Sequence, residues 1–297
     1  MSNTCQFVLE TELGDIPLLC DEASAPRTVA ALHRSAPIDA QLHTPKIAGS
    51  HIYWHTPFIC DLEGSSHVMD MAAGAFFYWP ERQFLEISFA PLQAETATVT
   101  PIGRADCPVD LIRALGERVR LTQGRVINTV RLTPLGRRQS QPAAPSSPLA
   151  EIRRSIWAAM PDEIAALSAR RGIMHPIGPL LYAEGDARNL HELLWWSRQA
   201  LQTERPEMIA RAAALVVDKT ATRLRNFCHL DWSADALDQI GRALRDGNEP
   251  VDAVIEDAIL IVGRLSAWLD LVIRWNDLNE AVVTHEAAAA MEKANGH

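Results

Sequence analysis

The segment Arg137–Pro148, RRQSQPAAPSSP, separates two stretches of chain written in different periods. Before it, β-branched and aromatic residues alternate in short runs bounded by glycine and proline; after it, apolar residues recur every three or four positions. Pro and Ser at this density lock φ or solvate the backbone and add nothing to a core, which describes an exposed, semi-extended connector. The chain therefore reads as an α+β protein of two domains, 1–136 and 149–297, joined by a linker over 137–148. Its 297 residues, 47% of them hydrophobic, suffice for two packed cores.

The formal net charge of −9 opposes non-specific binding to nucleic acid, which needs Lys and Arg against phosphates, and opposes adhesion to anionic membranes. The partners expected are small molecules and further copies of the chain, as a homo-oligomer. Five cysteines at wide spacing, with no CxxC or CxxH pairing, describe neither a disulfide framework nor a structural zinc site. Glu10, Glu12 and Asp15 near the start leave no basic region ahead of an apolar stretch, and no run of about 18 apolar residues occurs. A reducing cytoplasm is the location this implies.

In the first domain, Cys5–Thr11 and Asp15–Asp21 read as strands flanking the turn Leu13-Gly14-Asp15. Ser24 before Pro26 has the form of an N-cap, and Val29, Leu32 and His33 continue at helical spacing until Pro37. His51–His55, Ala75–Trp79 and Phe84–Phe89 read as central strands, Pro108–Leu121 as a second helix and Arg125–Leu132 as a closing strand. This order, with the helix opening Ala25-Pro26-Arg27-Thr28-Val29, resembles the cyclophilin-like fold and implies a small β-barrel. The F-H-R segment and Q-G-G-D turn of prolyl isomerases are absent from the sequence, so proline isomerisation is not implied.

The second domain reads as an all-α helical bundle, with helices over Leu149–Arg171, Asp186–Gln202, Pro206–Asn226, Ala234–Arg245 and Pro250–Trp275. On the last of these, Asp270 and Arg274 are expected as an ion pair on the wetter side. A cyclophilin-like barrel followed by such a bundle resembles the cucumopine-synthase-like proteins. The residues carrying that resemblance are Gly49–Phe58 and Gly178–Trp195. It implies a condensation of an amine with a keto acid and ring closure through an iminium ion, a reaction that needs proton shuttles and a carboxylate clamp.

Alternation puts His51, Tyr53 and His55 on one face of a strand, a surface of imidazole and phenol suited to general acid–base work. His43 lies in the same stretch. The same spacing suits two metal ligands, with Asp61 or Glu63 nearest as a third; the suspected chemistry asks for no metal and none is expected. Glu86, inside Phe84-Leu-Glu-Ile-Ser-Phe, points either to solvent by plain alternation or into a lined cavity, where it serves as a base or an ammonium anchor. Arg82 offers a fork for a carboxylate. Tyr78 in the aromatic string and Glu184 and Arg188 in the second domain complete the candidate substrate contacts, while Asp186 reads as a helix cap. Cys228-His229 are adjacent and poorly placed for a thiol–imidazole pair, and no GxGxxG or GxxxxGK[ST] loop is present, so no nucleotide cofactor is implied.

Two functions stand at this stage: a cofactor-independent enzyme acting by proton transfer on a small amino-acid- or imidazole-derived substrate, with hydrolysis or ring opening of a related heterocycle as its variant, or a non-catalytic module binding a small ligand or peptide. His51, Tyr53 and Glu86 are the catalytic candidates; His43, His55, Tyr78, Arg82, Glu184 and Arg188 the binding ones. Limited proteolysis is expected to cut first between Arg137 and Pro148. First cuts within Val251–Trp275 would contradict the helical reading of the second half.

Overall fold

The computed structural model describes residues 4–46, 49–93, 96–136, 147–169 and 177–295. Most of the expected linker, 137–146, lies outside them. The first part opens on a hairpin of β1 (Thr4–Glu10) and β2 (Ile16–Asp21), then α1 (Pro26–Ser35), β3 (Ile38–Gln41), β4 (His51–His55) and the short β5 (Ser66–His67). A 3-10 turn leads to β6 (Ala75–Trp79), β7 (Phe84–Ser88), β8 (Thr98–Ala105), α2 (Val109–Thr122) and β9 (Thr129–Pro134). The strands pair antiparallel in the order β3-β9-β1-β2-β8-β6-β7-β4, with β5 on β8. His43, just past β3, pairs with Tyr53 of β4 through His43 N to Tyr53 O at 2.8 Å and Tyr53 N to His43 O at 3.1 Å. That bridge brings the two edges of the sheet together into a nearly closed barrel.

Period-two alternation fills the barrel. Ile52 and Trp54 of β4, Phe76 and Tyr78 of β6 and Leu85 and Ile87 of β7 join one apolar cluster with Phe7, Leu9, Ile16 and Leu32. Residues directly opposite across an antiparallel pair share a face, so Tyr53 and Glu86, His51 and Ser88, and His55 and Phe84 all stand on the other face.

The second part is helical: α3 (Pro148–Ala158), α4 (Asp162–Ala169), α5 (Gly178–Ala200), α6 (Pro206–Arg223), a π-helical turn (Leu224–Cys228), α7 (Asp231–Asp246), α8 (Val251–Leu271) and α9 (Trp275–Asn295). Its core is a second cluster in which Leu190, Leu194, Val217, Ile240, Ile259 and Leu265 are buried. No described helix is long and apolar enough to cross a membrane. Between the two parts run Arg198 to Asp61 at 2.6 Å, Arg125 to Asp277 at 2.7 Å, and Arg264, which stacks on Trp268 at 3.9 Å and on Trp157 at 4.9 Å while its guanidinium reaches Gln41.

The structure corrects several boundaries. The helix expected over Leu149–Arg171 is two helices, because Pro161 has no N–H to continue the first. Helix α5 begins at Gly178, with a proline in its first turn, so Asp186 is no cap; it lies mid-helix and pairs with Arg223 at 2.8 Å. Ser24 does not cap α1 either. Its hydroxyl donates to Asp21 at 2.7 Å, and the α1 N–H groups of Arg27 and Thr28 donate to Glu63 at 3.0 and 2.8 Å. The last expected helix ends at Leu271, and Trp275 starts a new one. Strands β3 and β8 were not foreseen, the second because Pro101 and Gly103 interrupt it at an irregular register.

Trp54 is fully buried against Phe76, ring centroids 6.1 Å apart, so Trp54→Ala is expected to destabilise the fold by about 3–5 kcal/mol in urea unfolding. Trp196→Ala, at a 56% exposed site, should change it by less than about 0.5 kcal/mol.

Candidate active site

The outer face of β4 and β7 is not solvated. Helices α5 and α8 cover it, and His51, Tyr53, His55 and Glu86 are all buried. Of the two orientations open to Glu86, the solvent-facing one is corrected by the helices packed over this face.

A cleft between barrel and bundle is lined by His43, Tyr53, His55, Arg82 and Phe84 from the first part and by Arg188, His191, Gly263, Ser266, Ala267 and Asp270 from the second. The space between these side chains has room for about one water molecule. A ligand larger than water enters only when side chains move. Arg82 is the candidate to do so, since it reaches across to Glu192 at 3.5 Å. A hollow beside Pro206, Pro250 and Arg198 is larger, about 980 Å³, but its arginine is already held by Asp61 and Glu256 at its surface.

Asp270 organises the cleft. Its Oδ2 accepts from His43 Nδ1 at 2.7 Å and faces Lys46 Nζ at 3.0 Å; its Oδ1 accepts from Trp275 Nε1 at 2.9 Å and lies 3.7 Å from Arg188. Burial works to raise this carboxyl, but Lys46, His43 and Arg188 together hold it below the usual carboxylate range. Asp270 is therefore ionised, buried and bound to groups other than Arg274, which corrects the surface pair expected from its spacing. Arg188 also closes on Glu184 of the preceding turn, Nε to Oε1 at 2.7 Å. Burial pushes the Glu184 carboxyl up despite that partner.

The imidazoles are neutral. Burial drives His43 and His55 below the ordinary imidazole value, and His51 and His191 down to about 3. Neutral His43 then donates from Nδ1 to Asp270. For His191, the Gln83 amide fixes the tautomer: Gln83 Nε2 donates to Pro80 O at 2.6 Å, so its Oε1 accepts from His191 Nε2 at 2.6 Å, leaving Nδ1 as the acceptor. Gly263 is required beneath that ring, since a Cβ there would stand 2.9 Å from His191. Tyr53 stacks between His43, centroids 5.0 Å apart, and Phe84, 4.5 Å apart, and burial holds its hydroxyl protonated.

Of the residues singled out in the sequence, His43, Tyr53, His55, Arg82 and Arg188 line the cleft, and Glu184 joins through Arg188. His51 and Glu86 form a pair, Nε2 to Oε2 3.3 Å, on the same sheet face beside Tyr53 but outside the lining. Tyr78 is separate: it faces the barrel core, where its hydroxyl bonds Phe58 O and Cys60 N, because it pairs with Leu85 and shares that residue's side of the sheet. Lys46, His191, Gln83 and Asp270 were not identified as site residues. The signal for Asp270 is the stripe Gly263, Ser266, Ala267, Asp270 on one face of an apolar helix, small residues that let a neighbour approach a buried carboxylate. Among the described residues no group of three or more His, Cys, Asp or Glu is placed to hold a metal ion.

No protein-family model matches the chain, and no curated protein matches it. Among solved structures, McbB in complex with tryptophan is similar over 93% of this chain and 99% of that one, with a TM-score of 0.76 and 17% identity. A hypothetical protein from Archaeoglobus fulgidus, 19% identical over 45% of this chain and 96% of its own, has a TM-score of 0.32, too low to carry an argument. At such identity the likeness to McbB establishes the fold: an antiparallel near-barrel followed by a helical region, as the sequence led one to expect.

Buried neutral imidazoles make stability depend on pH. In the unfolded chain histidine titrates near 6.5, and in the fold His51 and His191 titrate at about 3. Between those values the unfolded chain binds more protons, so acid favours unfolding, by up to about 1.4 kcal/mol per pH unit for each such histidine. Urea unfolding is expected to show lower stability at pH 5 than at pH 7, with a smaller difference in His191→Gln. Equal stability at both pH values would contradict the neutral assignment.

Proposed function

We propose that this chain is an enzyme that works by proton transfer on a small amino-acid-derived substrate, with its own side chains rather than a cofactor carrying the chemistry. The observation behind this reading is the cleft itself, in which neutral imidazoles and a phenol face two guanidiniums. Imidazoles held neutral by burial accept protons, and a guanidinium fork takes a carboxylate. Arg82 and Arg188 clamp the substrate carboxylate, Tyr53 and Phe84 on the cleft wall border its ring, and Glu184 or Asp270 balances an ammonium. His51 and Glu86, beside Tyr53 on the same face, form a second proton-transfer pair within reach of a shifted substrate. McbB, bound to tryptophan, makes an aromatic amino acid the first candidate, and the resemblance to cucumopine-synthase-like proteins makes condensation with a carbonyl compound the first candidate reaction.

The test joins calorimetry with mass spectrometry. The protein is titrated with L-tryptophan and L-histidine, then incubated with each and with 2-oxoglutarate or a simple aldehyde. Expected are saturable binding and a product equal in mass to the two reactants less one water. Tyr53→Phe and His51→Ala should each lower turnover by about 10²–10⁴-fold, the scale for losing a proton-transfer group. Arg188→Met should act mainly on KM. Binding without turnover would favour the binding module, and no binding to either amino acid would overturn the substrate assignment.

A further inference from the structure

Asp270 does more than dock the bundle, because it dictates which nitrogen of His43 is left over. The carboxylate is an acceptor only, so the 2.7 Å contact requires the His43 proton on Nδ1. The other nitrogen, Nε2, is buried, has no hydrogen-bond partner among the described residues and belongs to a side chain lining the cleft. An unpartnered buried acceptor costs about 1–3 kcal/mol. The surroundings hold it in place all the same: Tyr53 stacks on one side of the ring, the backbone bridge to Tyr53 fixes His43 itself, and Trp275 Nε1 fixes Asp270.

We infer that His43 is the general base of the cleft, accepting the substrate proton on Nε2, with Asp270 of α8 as its positioning residue, so that the base is assembled only when bundle and barrel are docked. This deepens the proton-transfer reading and rests on it. Around the ring, Lys46 on the same loop and Arg264 on α8 oppose the imidazolium and Asp270 favours it; His55 and Tyr53 on β4 and Arg188 on α5 complete its charged and titratable neighbours. Burial outweighs Asp270, so His43 is neutral and ready to accept at neutral pH. When it does, Asp270 stabilises the cation that forms, as an oriented carboxylate does for a catalytic histidine elsewhere.

The base can be tested without the native substrate. In 5-nitrobenzisoxazole, removal of the C3 proton by His43 Nε2 turns the C–H electron pair into the third bond of a nitrile as the N–O bond breaks. A phenolate leaves, and the imidazolium returns its proton to water. The full-length protein should accelerate this elimination well above free imidazole at equal concentration, with a rate that rises with pH and levels off below the ordinary imidazole value. His43→Gln should lose about 10²-fold. Asp270→Asn should lower the plateau about tenfold and move the acid limb to lower pH, because the group that favours the imidazolium is gone; a structural role alone would not move that limb. His285→Gln, on the exposed face of α9, should leave the rate unchanged. Nitrogen-15 NMR of the wild type, which needs no variant, should show His43 neutral with its proton on Nδ1. An Nε2–H tautomer, a His43→Gln rate equal to wild type, or a wild-type rate no better than imidazole would overturn the inference. Since the probe contains no amino acid, elimination without amino-acid binding would sink the substrate reading and leave the base standing; binding with none of these signatures would do the reverse.

Discussion

A single buried carboxylate holds the two halves of this protein to one geometry. Ionised Asp270 cannot sit in an apolar helix without partners, since an isolated charge in such surroundings costs many kcal/mol. Its partners come from every neighbouring element: His43 and Lys46 from the loop after β3, Arg188 from α5, Trp275 from the start of α9, and Gln123, 3.5 Å away, from the end of α2. Removing one member of such a set leaves the others buried and uncompensated, typically at about 3–5 kcal/mol, so the docking of bundle on barrel is specified by charge as well as by apolar contact. The interdomain ion pairs Arg125–Asp277, Arg198–Asp61 and Arg82–Glu192 are more exposed and are individually weak.

The same docking makes the chemistry. An antiparallel sheet commonly leaves one face to water, and the outer face of β4 and β7 carries the residues of a wetted surface: two histidines, a tyrosine, a glutamate and a serine. Laying α5 and α8 over it removes the water and shifts His51, His55 and Tyr53 in the direction that suppresses their charge. Imidazoles become neutral bases and Tyr53 stays a phenol, while the charges that remain, on Asp270, Lys46 and Arg188, survive because they meet one another. A binding surface for solvated ions would need the opposite treatment.

How far this was legible follows from what each signal encodes. Period-two alternation groups His51, Tyr53 and His55 on one face of β4, as the structure has them, and helical spacing gives the bundle. Alternation says which residues share a face; it does not say what covers that face, which leaves Glu86 between solvent and cavity, nor which face of the aromatic string turns to the core, which leaves Tyr78 open as a substrate contact. Register decides Tyr78, since it opposes Leu85, and register is a tertiary quantity. Asp270 was read with Arg274 because local four-residue spacing is visible in a sequence, whereas a partner 227 positions away is not. Proline and glycine mislead in both directions: Pro179 stands in the first turn of a helix that the sequence pattern starts only at Asp186, and Pro101 and Gly103 disguise a strand.

The small stripe on α8 explains how so many polar groups come within contact of one another. Gly263, Ser266 and Ala267 present almost no side chain to β4, so the helix backbone and the strand's rings close to a distance that larger residues would forbid, and His191 fits only because position 263 has no Cβ. Closeness excludes water, and without water each remaining interaction acts through a lower effective dielectric and is worth more. It also shuts the cleft to anything larger than a water molecule. Tight packing that tunes the imidazoles and an entrance for a substrate are thus competing demands, and the structure meets them in different places. The interior contacts are short and buried, whereas the bond across the mouth, Arg82 to Glu192, is a 3.5 Å pair with Glu192 41% exposed. An exposed pair of that kind contributes little stability, so opening there disturbs the site's entrance while leaving Asp270 and the base it orients in place.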